Sequence, residues 1–236
     1  MIFSEHNIHP VVAEAEFKRL LRLPADYVFA DRMAENARWV REWYAEHGHP
    51  WLCARHVDGC EVTAEAVALG GRRLHSRELA RRFRAASSAL VVGACAGAEA
   101  ETEAARQWEL DEPDRYYFLE TYASAVVEAL IAGARGRLCA WADGRGAVLL
   151  PHYSPGYQGW SVGEQGAVFA LLTEAGPLPA PLEVMSSGML RPKKSQLAVF
   201  AVAAKGTAVA EPADLVPCKH CAHIRCEFRR EAYAVA

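Results

Sequence analysis

The segment SQLAVFAVA, Ser195–Ala203, decides the fold because it is apolar without interruption from Leu197 onward. A short continuous apolar run rich in Val and Phe is typical of a strand that is buried on both faces. The run SALVVGACAG, Ser88–Gly97, has the same character and ends in a loop that contains glycine. The two runs predict interior strands of the fold.

Other segments predict helices, because their apolar residues recur every three or four positions among charges. Ser76 is placed to cap one of them, and Asp111-Glu112-Pro113 interrupts another. Glu61–Leu69 alternates in part and stops at Gly70-Gly71, which predicts a strand closed by a turn. The predicted helices are Ala13–Arg22, Asp31–His47, Glu78–Ala86, Ala98–Leu110, Arg115–Ala134 and about Val162–Leu172.

Composition excludes several classes of protein. The chain has 236 residues, 52% of them hydrophobic, which is enough for a substantial core. A net charge of −3 disfavours a nucleic-acid partner, since phosphate neutralisation needs a basic surface. We find no apolar run of about 18 residues that could cross a membrane. The start MIFSEHNIHP lacks the features of a secretory leader, so we expect a cytoplasmic protein.

The cysteine segment CKHCAHIRC carries the most specific local spacing. Cys218, Cys221 and Cys226 follow a C-x2-C-x4-C pattern, which can place three thiolates around a zinc ion or an iron–sulfur cluster. The alternative is a set of reduced thiols. A fourth ligand is open, and the candidates are His220, His223, Cys53, Cys60, Cys95 and Cys139.

The loop HYSPGYQGW, His152–Trp160, is the second candidate site. Pro155-Gly156 predicts a turn that exposes backbone polar groups, and Tyr157 and Trp160 offer flat faces beside it. Such a loop suits adenosine or another heteroaromatic group, although an ordinary turn anchored by aromatic residues has the same composition. Lys193 and Lys194 precede the buried strand, either as solvated charges or as partners of an anion.

Two acidic residues lie in the apolar helix that contains TYASAVVEALIAG. Glu128 must face solvent or hold a polar partner, because an unpaired buried carboxylate is costly. A cationic or amine-bearing ligand is one such partner. Glu120 has the same two interpretations, and for Glu120 the pattern favours exposure to solvent.

In combination, these motifs resemble the activation domain of cobalamin-dependent methionine synthase and its stand-alone relatives. The resemblance covers roughly Glu61 to the C-terminus. The motifs that carry it are, in order, VALGGRRLHSRELARRFRAASSALVVGACAG, LETYASAVVEALI, YSPGYQGWSVGEQGAVFALL, SSGMLRPKKSQLAVFAVA and the C-x2-C-x4-C segment.

The resemblance implies an α+β fold: one mixed domain with a twisted, mainly antiparallel sheet flanked by helices, followed by a cysteine-bearing tail. We expect a helical region at 1–60 packed on the main domain, a core at 61–210 and the tail at 211–236. The resemblance also implies an S-adenosylmethionine site. The backbone of Ser154, Pro155, Gly156 and Tyr157 would contact the ligand, and Glu128 would face its sulfonium or amino group.

Two positions depart from the family's pattern. His152 stands where the family has an Arg for the ligand carboxylate, and it lacks the bidentate fork of a guanidinium group. Phe200 stands where methionine synthase has a Tyr near the ligand. We nevertheless predict that His152 and Phe200 contact the cofactor.

The resemblance implies reductive methylation of a corrinoid carried by a separate cobalamin-dependent methyltransferase, with a flavodoxin or ferredoxin-like reductant. Two alternatives stay open at this point. One is a non-catalytic partner or scaffold of a corrinoid protein, in which the cofactor site has degenerated. The other is an accessory protein that passes electrons to cobalt through a metal or iron–sulfur centre in the cysteine tail.

Overall fold

The computed structural model describes residues 1–174, 176–207, 218 and 226. Its helices are α1 (Glu14–Leu20), α2 (Asp31–His47), α3 (Arg77–Phe83), α4 (Glu99–Glu109), α5 (Pro113–Asp143) and α6 (Gln165–Thr173), with a 3₁₀ turn at Val162–Glu164. The strands are β1 (Phe3–His6), β2 (Trp51–Asp58), β3 (Cys60–Val62), β4 (Ala66–Leu69), β5 (Arg72–His75), β6 (Ser88–Cys95), β7 (Ala147–Leu149), β8 (Glu183–Val184), β9 (Leu190–Arg191) and β10 (Ser195–Ala204).

Five antiparallel strands form the central sheet, in the order β1-β2-β6-β10-β7. Both strands predicted as interior lie inside it, side by side: Ser195 of β10 is opposite Cys95 of β6, and Val202 is opposite Ser88. All eight residues of β6 are buried. Their continuous apolar sequence reflects a sheet that is covered on both faces.

Alternate residues of β10 supply two separate cores, one on each face of the sheet. Ala198, Phe200 and Val202 belong to the core shared with α1, α2, α4 and α5. Leu197, Val199 and Ala201 belong to the core shared with α3, α6 and the small sheet β3-β4-β5. The predicted α+β class, a mainly antiparallel sheet flanked by helices, is therefore confirmed.

Helix α5 is longer than the sequence predicts, continuing from Ala134 to Asp143. It begins with Pro113 at a position where proline needs no hydrogen-bonded N–H. The buried alanines of its first half, such as Ala123 and Ala125, let it lie close to the sheet. Its far end is joined to the end of β10 by a 2.7 Å ion pair between Asp143 and Lys205.

Residues 1–60 supply strands as well as helices. β2 lies between β1 and β6 in the central sheet. The sequence does not predict β2, because Arg55 and His56 interrupt its apolar run. Arg55 keeps its charge at the surface, where it donates to the carbonyl of Leu171 and pairs with Glu174 at 3.2 Å.

The predicted strand Glu61–Leu69 is instead two strands of a hairpin, β3 and β4. The Thr63 side chain causes the break, since its hydroxyl accepts a 3.1 Å hydrogen bond from the N–H of Ala66. Thr and Ser side chains commonly stabilise turns in this way.

Among the helices of the described residues, none has the length and apolar character needed to cross a bilayer.

We expect Phe17→Ala to lower the free energy of unfolding by about 3 to 5 kcal/mol, as measured by urea denaturation. The Phe17 ring is fully buried and packs edge-on against Phe118 and Tyr122 of α5, so its removal leaves a cavity between the N-terminal region and α5. The control is Val28→Ala, at a side chain that is 79% exposed, with an expected change within about 0.5 kcal/mol. Equal effects of the two substitutions would contradict packing of the N-terminal region on α5.

Candidate functional site

The loop His152–Trp160 continues the edge of the central sheet. After β7, the N–H of Leu150 donates to the carbonyl of Ala201, and Tyr153 exchanges two backbone hydrogen bonds with Val199 at 2.8 and 2.9 Å. These bonds carry the chain along β10 toward Gln196. The loop is therefore held in register with an interior strand.

Gly156 forms the turn at the tip of this loop. Its φ of +92° lies in the region that favours glycine. Its N–H donates to the carbonyl of Trp160 at 2.9 Å, and the N–H of Tyr157 donates to the carbonyl of Ser154 at 3.1 Å. A Cβ at Gly156 would meet only Val162, at 4.0 Å, so the outer side of this backbone is open to an approaching group.

Four side chains fix the loop from beneath. The ring of Tyr153 packs against the guanidinium of Arg82, 4.1 Å from its centroid, and is parallel to the ring of Trp160, 6.1 Å away. The hydroxyl of Ser76 caps α3 and donates to the carbonyl of Gly159 at 2.7 Å. Trp160 is 2% exposed, so the expectation that it offers a face to a ligand is wrong, and it anchors the loop instead.

Gln196 connects the loop to β10. Its amide nitrogen donates to the hydroxyl of Ser154 at 3.1 Å and to that of Tyr157 at 3.2 Å. Gln196 is not among the residues that the sequence motifs predict for the site. Its position in β10 could have indicated a role. Gln196 is a polar residue two positions before Ala198, so it lies on the α5 face of a strand that is apolar from Leu197 onward.

His152 lies beside Tyr157. A ring nitrogen of His152 is 3.4 Å from the hydroxyl of Tyr157, and its ring centroid is 5.5 Å from that of Phe200. Phe200 is fully buried and Ser154 is 3% exposed, so these two side chains support the loop from below. Their contact with a ligand stays a prediction. His152, Gly156 and Tyr157 are the members of the predicted set that reach the surface of the loop.

A charged cluster lies at the start of β10, next to Gln196. Glu120 of α5 accepts from Lys193 at 2.7 Å and from Lys194 at 3.2 Å, and Lys194 also donates to the hydroxyl of Ser124 at 2.9 Å. The Glu120 side chain is only 15% exposed, so the interpretation of Glu120 as a solvated charge is wrong. Burial opposes the charge of Lys193, but the hydrogen bond and charge of Glu120 raise its pKa above the ordinary value.

Glu120, Ser124 and Glu128 are four residues apart on α5, a spacing that makes successive side chains neighbours on one side of a helix. The structure thus places the predicted Glu128 one turn beyond Ser124. Glu128 also lines a cavity of about 580 Å³ with Ile8, Pro10 and other residues of the N-terminal segment. Residues 152–157 are not part of that lining.

The structure does not test the predicted metal site. Cys221 lies outside the described residues, and only Cys218 and Cys226 of the three fall within them. Within the described part of the chain, no group of His, Cys, Asp and Glu side chains is arranged to hold a metal ion. Cys53 and Cys95 are poor candidates for a fourth ligand, because burial in the sheet raises the pKa of each thiol, that of Cys53 to about 12.

No protein-family model and no curated protein matches this chain. Among solved structures, the chain is similar to one described as the MetH reactivation domain bound to AdoHcy. The TM-score is 0.56 at 10% sequence identity, and the match covers 83% of this chain and 75% of the other. Similarity at this level of identity shows a shared fold.

We expect Gln196→Leu to lower the hydrogen-exchange protection of the Gly156 and Tyr157 amides about tenfold, because the two hydrogen bonds that hold the loop on β10 are lost. Protection of β10 should change little. The matched control is Gln158→Leu, the same chemical change at an exposed side chain of the same loop. If both variants exchange alike, Gln196 does not fix the loop.

Proposed function

We propose that this protein binds S-adenosylmethionine between the loop His152–Tyr157 and the row formed by Glu120, Ser124 and Glu128 on α5. One observation carries the proposal: Gln196 ties Ser154 and Tyr157 to an interior strand, which fixes an open glycine turn beside an aromatic ring and charged side chains. The fold shared with a domain solved in complex with AdoHcy supports the same choice of ligand.

The loop suits the adenosine part of the ligand. Gly156 has no side chain to keep a ring from its backbone, and Tyr157 stands next to it with a partly exposed ring. Stacking of a base on an aromatic side chain contributes about 1 to 3 kcal/mol. The anchoring of Tyr153 and Trp160 below means that little of this energy is spent on ordering the loop.

The α5 row suits the other end of the ligand. S-adenosylmethionine carries a positive sulfonium, an ammonium and a carboxylate close together. Glu128 supplies negative charge for the positive groups, as the sequence predicts, and Glu120 adds a second carboxylate one turn away from Ser124. Charges of both signs on a partly buried surface favour such a ligand over an uncharged nucleoside.

We further propose that the bound ligand methylates the corrinoid of a separate methyltransferase protein. One electron from a reductant, such as a flavodoxin or ferredoxin, reduces cob(II)alamin; the reduced cobalt then takes the methyl cation and leaves S-adenosylhomocysteine. The chain's own residues hold and orient the ligand, so their contribution is positioning at an open surface that the partner can reach.

Calorimetric titration with S-adenosylmethionine and S-adenosylhomocysteine tests the binding step. We expect both to bind, and Tyr157→Ala to weaken binding by about 10- to 100-fold through loss of stacking. Tyr117→Ala is the matched control, since Tyr117 is 45% exposed on the first turns of α5, and this variant should bind normally. Absence of heat with the wild-type protein at millimolar ligand would contradict the proposal.

The methylation step is tested with a cob(II)alamin-bearing methyltransferase protein, a reductant and S-adenosylmethionine. We expect the absorption spectrum of methylcobalamin to appear only when this protein is present, and more slowly with Tyr157→Ala. A stable complex with the corrinoid protein without ligand binding would support the scaffold alternative instead.

Anaerobic purification with iron, sulfide and zinc analysis addresses the cysteine tail, and a metal-free protein with full activity would exclude an electron-transfer role.

A further inference from the structure

The carboxylate of the proposed ligand needs a cationic partner, and the loop itself does not supply a fixed positive charge. Arg82 lies under the loop but is 5% exposed, is held by Glu78 at 2.8 Å, and is covered by the ring of Tyr153. A ligand on the outer surface of the loop cannot reach it. Among the described residues, Lys193 and Lys194 supply positive charge next to Gln196, immediately before β10.

Lys194 stands on the same side of β10 as Gln196. Residues two apart on a strand point to the same face and are separated by about 6 to 7 Å. The contacts of both residues agree with a shared face. Lys194 donates to Ser124 of α5, and Gln196 alternates with Ala198 and Phe200, which pack against α5. The ammonium group of Lys194, which immediately precedes β10, therefore lies on the same face of the sheet as the side chain of Gln196, which holds Ser154 and Tyr157.

The surroundings of Lys194 hold its ammonium group in place. Of its three N–H donors, one meets Glu120 at 3.2 Å and one meets Ser124 at 2.9 Å. The side chain is 20% exposed, so its charge is partly desolvated and a charged ligand group interacts with it more strongly than in water. This is a pre-positioned cation with donor capacity beyond these two bonds.

Lys193 is the natural comparison, because it is adjacent and also contacts Glu120. Its side chain is twice as exposed, at 40%, and its ammonium group lies 5.9 Å from the centre of the Tyr116 ring. Tyr116 belongs to the first turn of α5, where it packs against Trp108 of α4. Lys193 thus extends toward the α4–α5 corner and away from the loop.

We infer that Lys194 is the specificity-determining residue that binds the carboxylate of the ligand's amino-acid part, and that Glu120 and Ser124 position its ammonium group. This inference rests on the proposed function. It gives the site a carboxylate partner immediately before β10, at a position separate from His152. It also predicts discrimination between ligands that differ only in the carboxylate.

Calorimetry with two ligands tests this role: S-adenosylhomocysteine and S-adenosyl-3-thiopropylamine, its decarboxylated form, which keeps the adenosine, thioether and amine. We expect Lys194→Met to weaken binding of S-adenosylhomocysteine by about 10- to 100-fold and to leave binding of the decarboxylated ligand unchanged. Lys194→Arg should retain most of the affinity, and Lys193→Met, the matched control, should bind both ligands like the wild type. A thermal melt of each variant checks folding.

The outcomes separate this inference from the proposed function. If the wild-type protein binds neither ligand, both fail. If the wild type binds, and Lys194→Met either binds each ligand as tightly as the wild type does or loses affinity for both by the same factor, Lys194 does not recognise the carboxylate while the proposed site stands. If Lys193→Met shows the selective loss, the assignment to Lys194 is overturned.

Discussion

The pairing of β10 with β6 is the constraint on which the rest of the structure depends. Eight consecutive residues, Ser195–Val202, are in antiparallel register with Cys95–Ser88. A shift of one residue would exchange the two faces of the strand. Phe200 would then leave the α5 core, and Gln196 and Lys194 would point toward α3 and α6. The packing of both layers and the composition of the candidate site thus follow from a single register.

The same strand also determines how rigid the site is. The loop is bonded to β10 by backbone pairing at Val199 and by the side chain of Gln196, and the Arg82–Tyr153–Trp160 stack holds it from the opposite side. Burying the large aromatic rings contributes most of this stability, since each removes a large apolar area from water. In the part of the chain that the structure describes, the turn at Gly156 and the partly exposed rings of Tyr157 and His152 lie at the surface of the loop, in positions that do not need to be reordered on binding.

The sequence predicted the parts of the fold that depend on strong local patterns. Continuous apolar runs marked β6 and β10, and three- or four-residue spacing marked the helices. Prediction failed where one side chain makes a contact that the apolar pattern does not show. The charge of Arg55 disguised β2, although that charge is placed against α6 in the folded chain, and Thr63 divided a strand through one side-chain hydrogen bond. The candidate site followed the same rule: the loop was recognisable as a segment, but the buried anchoring role of Trp160 and the contacts of Gln196 and Glu120 depend on residues distant in sequence.

The charges around the site act together because the structure balances them before any ligand arrives. Glu120 satisfies two lysines, so the burial of each charge is offset by its partners, and the pKa of Lys193 is raised despite desolvation. An amino-acid group carries a carboxylate and an ammonium close together. Its ammonium can contact the row of Glu120, Ser124 and Glu128, and its carboxylate can contact Lys194, which that row holds. The cluster thus offers partners of both signs beside a fixed loop, which favours an amino acid attached to a nucleoside over an anion or a cation alone.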